Sequence, residues 1–179
     1  MKKILSAIAV VLLLSSACLA KNSNDVYVGV GTALESVSAY DYDGMALVVN
    51  AGKPVKKVGK GMLVVEGEVS YSLIPPSYDW EYSPFPYTST YYNTAEIYFT
   101  TVGLYAGYVY DINENVYIKP RIGLLYLEDD DEEQYSTTGI SIGVGAGYKL
   151  NKSIDLYTDY TRLDGSYLTH FTIGVLYHY

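Results

Sequence analysis

The segment "GISIGVGAGYKL", residues 139–150, alternates between two kinds of residue. Its even-numbered positions are apolar: Ile140, Ile142, Val144, Ala146, Tyr148 and Leu150. The odd-numbered positions after Gly139 are small or polar: Ser141, Gly143, Gly145, Gly147 and Lys149. Because successive side chains of a β-strand point to opposite faces, the segment predicts a strand with one bulky apolar face and one nearly empty face.

The same glycines do not form a phosphate-binding loop. A dinucleotide-binding loop needs G-x-G-x-x-G, and counted from Gly143 or Gly145 its last position falls on Tyr148 or Leu150. A P-loop needs Gly-Lys followed by Ser or Thr, whereas Tyr148 precedes Lys149 and Leu150 follows it. Both motifs are excluded by their own spacing.

The sizes of the two faces indicate the surroundings of this strand. A soluble sheet normally buries its apolar face and presents longer polar side chains to water. Here the small face suits the cramped interior of a narrow barrel, and the large face suits lipid. A transmembrane barrel strand is therefore the favoured interpretation, and a soluble periplasmic barrel with a similar alternation is the alternative.

This alternation recurs along the chain and predicts an all-β fold, an eight-stranded antiparallel up-and-down transmembrane β-barrel. The predicted strands lie near residues 25–34, 44–52, 61–73, 94–110, 116–127, 138–150, 154–163 and 168–179. The connections at 111–115 and 151–153 are short, whereas 35–43, 74–93 and 128–137 are longer. Short turns face the periplasm and longer loops the exterior in outer-membrane barrels, which orients the chain.

Three segments fit this pattern poorly. The fourth predicted strand changes phase between Glu96 and Val102, which indicates a bulge. Pro120 removes a ladder hydrogen bond from the fifth strand, so it is expected near a rim or an irregularity. The connection "KPVKKVGK", residues 53–60, is long and basic for a periplasmic turn.

The first 20 residues read as a secretory signal peptide, which leaves residues 21–179 as the barrel domain. An uncleaved anchor and lipidation of Cys18 are the alternatives; Ser15 stands where a lipidation site prefers Leu. Loss of the leader takes the net charge from −8 to −10, which argues against nucleic acid as a partner. The 22 tyrosines suit places where hydrocarbon meets water.

The signal peptide, "VGVGAGYKL" and the aromatic-ended "FTIGVLYHY" together resemble the small eight-stranded outer-membrane barrels of the OmpA and OmpX type. The resemblance covers residues 21–179 and implies a location in the bacterial outer membrane. It also implies an assembly signal in the last strand, read by the barrel-assembly machinery, although Tyr179 stands where Phe is commoner. The residues of that signal are Phe171, Ile173, Val175, Tyr177 and Tyr179.

The inward positions of the predicted strands collect charged residues: Glu66, Glu68, Glu96, Lys119, Arg121, Lys149, Asp155 and Asp159. An eight-stranded barrel is only wide enough to be filled by its own side chains. Since an isolated buried charge is very costly, we expect these groups to pair in a network that fills the lumen. A narrow ion channel or small porin is the alternative.

The loop "PPSYDWEYSPFPYTSTYYNT", residues 75–94, is the clearest candidate for contacts outside the cell. Aromatic side chains give a large contact area at a small entropic cost, and prolines limit the freedom that docking would remove. The candidate contact residues are Tyr78, Trp80, Tyr82, Phe85 and Tyr87. The alternative is that these rings extend the aromatic girdle at the membrane surface.

The expected role is therefore structural or adhesion-like and non-enzymatic, without a cofactor or a metal. Its partners would be outer-membrane lipid and lipopolysaccharide, the barrel-assembly machinery, and a host or cell-surface partner. A lipid A-modifying enzyme is a further alternative, with His170 as base near Ser166 and Asp164. The acidic run 128–133 lacks the glycine and spacing of a calcium loop and is expected to be solvated.

Overall fold

The computed structural model describes residues 26–38, 43–82, 91–130, 136–163 and 168–179. The described chain folds into ten strands, of which eight close into a barrel and two form a separate hairpin. They are β1 (Tyr27–Val37), β2 (Gly44–Val58), β3 (Gly61–Ile74), β4 (Ser77–Tyr82), β5 (Tyr91–Glu96), β6 (Phe99–Asp111), β7 (Val116–Asp129), β8 (Ser136–Lys149), β9 (Ile154–Leu163) and β10 (Leu168–His178). The predicted eight-stranded antiparallel barrel is confirmed.

Neighbouring strands of the barrel follow the order of the chain, with one exception. β3 pairs directly with β6, because β4 and β5 pair only with each other in a two-stranded sheet. The barrel closes where β1 pairs with β10, from Tyr27 opposite His178 to Val37 opposite Leu168. Helices long and apolar enough to cross a membrane are absent from the described ranges.

Burial along the strands follows the predicted period of two. In β8 the side chains of Ile140, Ile142 and Val144 are each more than half exposed, whereas Ser141 is fully buried. The exposed residues form an apolar outer surface, and the buried ones fill the lumen. Ile173 in β10 is 60% exposed although it is aliphatic, as expected of a side chain that faces lipid.

The inward glycines of β8 provide the space that neighbouring side chains occupy. A Cβ atom on Gly145 would lie 2.0 Å from Oδ1 of Asp159 in β9. A Cβ atom on Gly147 would lie 2.0 Å from the ring of Tyr117 in β7. Both distances are far below van der Waals contact. Glycine at these positions therefore leaves room for the side chains of Asp159 and Tyr117 inside the lumen.

The phase change predicted for the fourth strand is a boundary between two sheets, not a bulge. β5 ends at Glu96 and β6 begins at Phe99, so the predicted strand 94–110 joins a hairpin strand to a barrel strand. The linking residue Ile97 is buried, and its backbone N–H donates to the carbonyl oxygen of Pro76 at 3.3 Å. This hydrogen bond joins the two connecting segments at the base of the β4–β5 hairpin, and the Ile97 side chain belongs to the buried cluster that contains Phe99.

The segment 53–60 is mostly strand, not a long turn as predicted. β2 continues to Val58 and β3 begins at Gly61, which leaves a two-residue connection whose first residue, Gly59, has φ of 58°. Tight hairpins of this length favour positive φ there, which glycine adopts without strain. Pro120 lies at an irregularity as expected: the β6–β7 pairing lapses between Arg121 and Ile118 and then resumes in the same register.

Candidate functional site: the filled lumen and the two rims

Five buried charged side chains meet at the centre of the lumen, and we call them the central network: Glu66, Glu68, Lys119, Arg121 and Asp159. Lys119 Nζ lies 2.6 Å from Glu66 Oε2. Arg121 Nη1 lies 2.7 Å from Glu68 Oε2 and 3.3 Å from Glu66 Oε1. Asp159 Oδ2 is 3.5 Å from Lys119 Nζ and 3.9 Å from Arg121 Nη1. Three carboxylates thus share two cations.

Neutral groups add contacts to the central network, although Arg121 Nε and both carboxylate oxygens of Asp159 are buried without a hydrogen-bond partner among the described residues. The Tyr27 hydroxyl donates to Glu66, and the Arg121 guanidinium donates to the Thr161 hydroxyl. The Arg121 guanidinium also lies 4.3 Å above the centre of the Tyr105 ring, a favourable cation–π distance. These contacts distribute the charge over β1, β3, β6, β7 and β9, so the network connects opposite walls of the barrel.

Two predicted members of the network lie at the short-turn rim instead. Lys149 Nζ forms an ion pair of 2.7 Å with Asp111, and both side chains are partly exposed. Asp155 is buried and lies 2.9 Å from His178 Nε2. The structure thus places both residues at the mouth of the barrel, outside the central network.

The prediction that Glu96 lies in the lumen is wrong. Glu96 is exposed and ends β5, where it stands opposite Ser77 in the hairpin register. The inward phase of β6 begins only at Phe99, so the period of two cannot be extended from the barrel to Glu96.

Sequence analysis missed a buried carboxylate near the long-loop end. Glu35 is fully buried, with His170 Nε2 at 3.2 Å from its Oε1 and the Ser72 hydroxyl donating to its other oxygen. Extending the inward phase of β1 by one step, from Ala33 to Glu35, would have found it. His170 is thus held by a carboxylate; Ser166 and Asp164, considered as its catalytic partners, lie outside the described residues.

The two ends of the lumen differ. At the long-loop end, buried apolar side chains pack into one cluster: Ile97, Phe99, Tyr105, Leu125, Leu127, Leu163 and Leu168. At the short-turn end, a cavity of about 390 Å³ opens between Tyr27, Tyr117, Lys149 and His178. The central network borders this cavity, since Lys119 is one of its lining residues.

The β4–β5 hairpin carries part of the predicted contact loop. Tyr78, Trp80 and Tyr82 occupy alternate positions of β4, while Phe85 and Tyr87 lie outside the described residues. The register runs from Ser77 opposite Glu96 to Tyr82 opposite Tyr91. The hairpin is therefore a paired ribbon that belongs to no barrel sheet.

The long-loop end also carries the described part of the acidic run, Glu128 and Asp129 at the end of β7 followed by Asp130. Within the described ranges, no group of three or more His, Cys, Asp or Glu side chains is placed to hold a metal ion.

The residues of the predicted assembly signal face outward: Phe171, Ile173, Val175, Tyr177 and Tyr179 are 43%, 60%, 41%, 47% and 62% exposed. Reading by the assembly machinery remains a prediction.

A closed barrel of eight strands with an apolar outer face and a polar lumen defines the class of small transmembrane outer-membrane barrels. The sequence profile of the outer membrane protein beta-barrel domain matches residues 6–178. The chain belongs to this family, and its place is the bacterial outer membrane. The predicted leader and Cys18 lie outside the described residues, so cleavage and lipidation remain predictions.

Solved structures agree with this fold. Ail, the attachment invasion locus protein of Yersinia pestis, in complex with the heparin analogue sucrose octasulfate, is 15% identical, with 88% of this chain and 100% of that one covered and a TM-score of 0.56. Neisserial surface protein A is 17% identical, with 86% and 96% covered and a TM-score of 0.51. OprG of Pseudomonas aeruginosa is 11% identical, with 88% and 97% covered and a TM-score of 0.53. Comparison with curated proteins finds no match.

Proposed function

We propose that this barrel is a non-enzymatic surface protein that contacts other cells through the β4–β5 hairpin. The observation that carries the proposal is the separation of the two parts. The hairpin forms its own sheet outside the barrel, while ion pairs and apolar side chains fill the lumen below it. The barrel then serves as a rigid membrane anchor, and the hairpin is the part available for contacts.

The hairpin is suited to binding because its backbone is already ordered. β4 and β5 pair along their whole length, so docking would not have to order that backbone. Tyr and Trp provide contact area with little rotamer entropy to lose, and residues of these two types occupy alternate positions of β4. Ail, whose name records attachment, shares this fold at low identity and is consistent with such a role.

The charge at this end determines which partners suit it. Asp79, Glu96 and the described part of the acidic run, Glu128 to Asp130, lie on the long-loop side, which also carries Glu81. Such a surface repels polyanions at low salt. The partner we propose is therefore a neutral or cationic cell-surface molecule, in contrast to the sulfated ligand in the Ail complex.

The contacts of His170 support the non-enzymatic part of the proposal. A serine hydrolase needs the imidazole within hydrogen-bond reach of its nucleophile. Here Nε2 of His170 faces Glu35 at 3.2 Å, deep between β1 and β10. If the lipid A of strains with and without the gene differs, this part of the proposal is wrong.

One triple variant and one double variant test the hairpin. Tyr78→Ser, Trp80→Ser and Tyr82→Ser together remove the aromatic residues from β4, whereas Asp79→Ser with Glu81→Ser changes the intervening positions. Each variant is displayed on a laboratory strain, and adhesion to epithelial monolayers and to bacteria lacking the barrel is counted. We expect adhesion to fall to background in the aromatic variant. In the other it should persist unchanged for a neutral partner and be weakened but retained for a cationic one.

Folding is checked in the same samples by the mobility shift on boiling in detergent. A folded aromatic variant that adheres as well as the unmodified protein contradicts the hairpin as the binding surface. Single-channel steps in planar bilayers from the unmodified protein would instead favour the narrow ion channel.

A further inference from the structure

The short-turn end of β2 extends beyond its neighbour β1. The first residue of β1, Tyr27, pairs with Gly52. Within the described chain, residues 53–58 pair only with β3, and Val55 has no partner in that register. We call residues 53–60 the basic segment. It contains Lys53, Lys56, Lys57 and Lys60, four of the 12 basic residues in the chain, so positive charge is concentrated here.

A bulge in the basic segment brings two of its lysines to the outer face of the barrel. Lys53 stands opposite Val65 and Lys56 opposite Leu63, and both partners are outward-facing and exposed. Residues three apart in a regular strand point to opposite faces. The register shift between Pro54 and Lys56 inserts one extra residue, and this places both lysines on the lipid-facing side.

Within the described chain, these lysines have no ion-pair partner, and exposed apolar side chains lie in the same segment. Val55 is 64% exposed and Val58 is 43% exposed. None of the four lysines forms an ion pair with a described residue, and the paired stretch 61–65 of β3 contains no acidic residue. A lysine in such surroundings lays its methylene stem along hydrocarbon and extends its ammonium group to the polar boundary.

We propose that Lys53 and Lys56 bind the phosphates of anionic phospholipids in the periplasmic leaflet. The segment lies at the end with short turns, which faces the periplasm in barrels of this class. Its charge is opposite to that of the headgroups, and it lies at the rim, beyond the first residue of β1. The long-loop end, in contrast, carries Glu128, Asp129 and Asp130. The charge difference between the two rims therefore favours one orientation of the barrel and holds it at a defined depth.

The test uses the full barrel refolded into mixed micelles that contain equal amounts of phosphatidylglycerol and phosphatidylcholine. Native mass spectrometry counts the molecules of each lipid that remain bound. The variant is Lys53→Gln with Lys56→Gln. Its control is Lys149→Gln with Lys152→Gln, which removes the same charge at the same end, but from side chains that line the mouth cavity.

We expect the unmodified barrel to retain phosphatidylglycerol preferentially. Each outer lysine lost should reduce this preference roughly fivefold at low ionic strength, and added salt should weaken it in all proteins. The control should keep the preference, as should Lys53→Arg with Lys56→Arg. Equal loss in the variant and the control overturns the proposal, as does an unmodified barrel without preference. The mobility shift on boiling verifies that each protein is folded before its lipids are counted.

Discussion

Arg121 is the side chain on which the central network depends most, and Arg121→Met tests whether the lumen is dry. Its guanidinium makes two contacts with Glu68, at 2.7 and 3.4 Å, and one with Glu66 at 3.3 Å. Methionine keeps much of the volume without the charge. In the variant, the carboxylates of Glu66, Glu68 and Asp159 remain. Among the described residues, Lys119 is then the one cation within ion-pair distance of the network.

The expected cost follows from which carboxylate loses its partner. Glu66 keeps Lys119 and the Tyr27 hydroxyl, so it stays compensated. Glu68, which is 3% exposed, loses the guanidinium that holds both of its oxygens. Removing one partner of a buried ion pair costs about 3–5 kcal/mol. In the double variant with Glu68→Gln no unpaired carboxylate is left at this position, so about 1–3 kcal/mol should be recovered.

Urea titration of the barrel in lipid vesicles measures these differences, with the folded fraction read from the mobility on unboiled gels. With a slope of about 2 kcal/mol per M, the loss corresponds to a midpoint lowered by about 1.5–2.5 M. Lys149→Met is the control, because its ion pair with Asp111 has the same length of 2.7 Å but is exposed to water. Exposed pairs contribute about 0–1 kcal/mol, so its midpoint should hardly move. Equal shifts for both variants would mean that water already solvates Glu68, and the closed lumen would have to be abandoned.

Two pairs of substitutions test the faces of the barrel and its depth in the membrane. Gly145→Ala puts a Cβ atom 2.0 Å from Asp159 Oδ1, so the same titration should show a loss of about 1–3 kcal/mol in unfolding free energy. Ala146→Val, on the lipid face, should change it by no more than about 0.5 kcal/mol. If both variants behave alike, the assignment of the faces in β8 is wrong. Ile122→Lys exposes a charge to lipid near the middle of β7 and should lower the unfolding free energy by about 2–4 kcal/mol. Val58→Lys, at the short-turn rim, should lower it by only about 0–1 kcal/mol. A loss that does not depend on depth would contradict the placement of the membrane.

The barrel could be predicted from sequence because one simple rule acts on every strand. Lipid on one side and a narrow lumen on the other require side chains of different size and polarity at alternate positions. In β8 this requirement is met without exception from Ile140 to Tyr148. The same rule located Glu66, Glu68, Lys119, Arg121 and Asp159 on inward positions, where the structure brings them together.

The rule fails where its physical cause is absent. Beyond the barrel rim there is neither lipid nor lumen, so alternation no longer distinguishes inside from outside. Glu96 was misplaced for this reason, since β5 pairs with β4 and not with a barrel strand. The basic segment was misread as a turn because lysines and a proline mark loops in most proteins. Here they occupy the part of β2 that extends past β1.

Filling the lumen and exposing the rims are linked consequences of the small size of this barrel. Eight strands leave no room for a wide pore, so the charged side chains of the central network pair with one another within the lumen. Other charged residues lie near the two ends: Glu96, Glu128, Asp129 and Asp130 on the long-loop side, and Lys149, Asp111 and Asp155 at the short-turn mouth, where the lysines of the basic segment also lie. A protein built in this way can act on other molecules mainly through its rims. The hairpin and the basic segment are therefore the places where substitutions should change function without changing the fold.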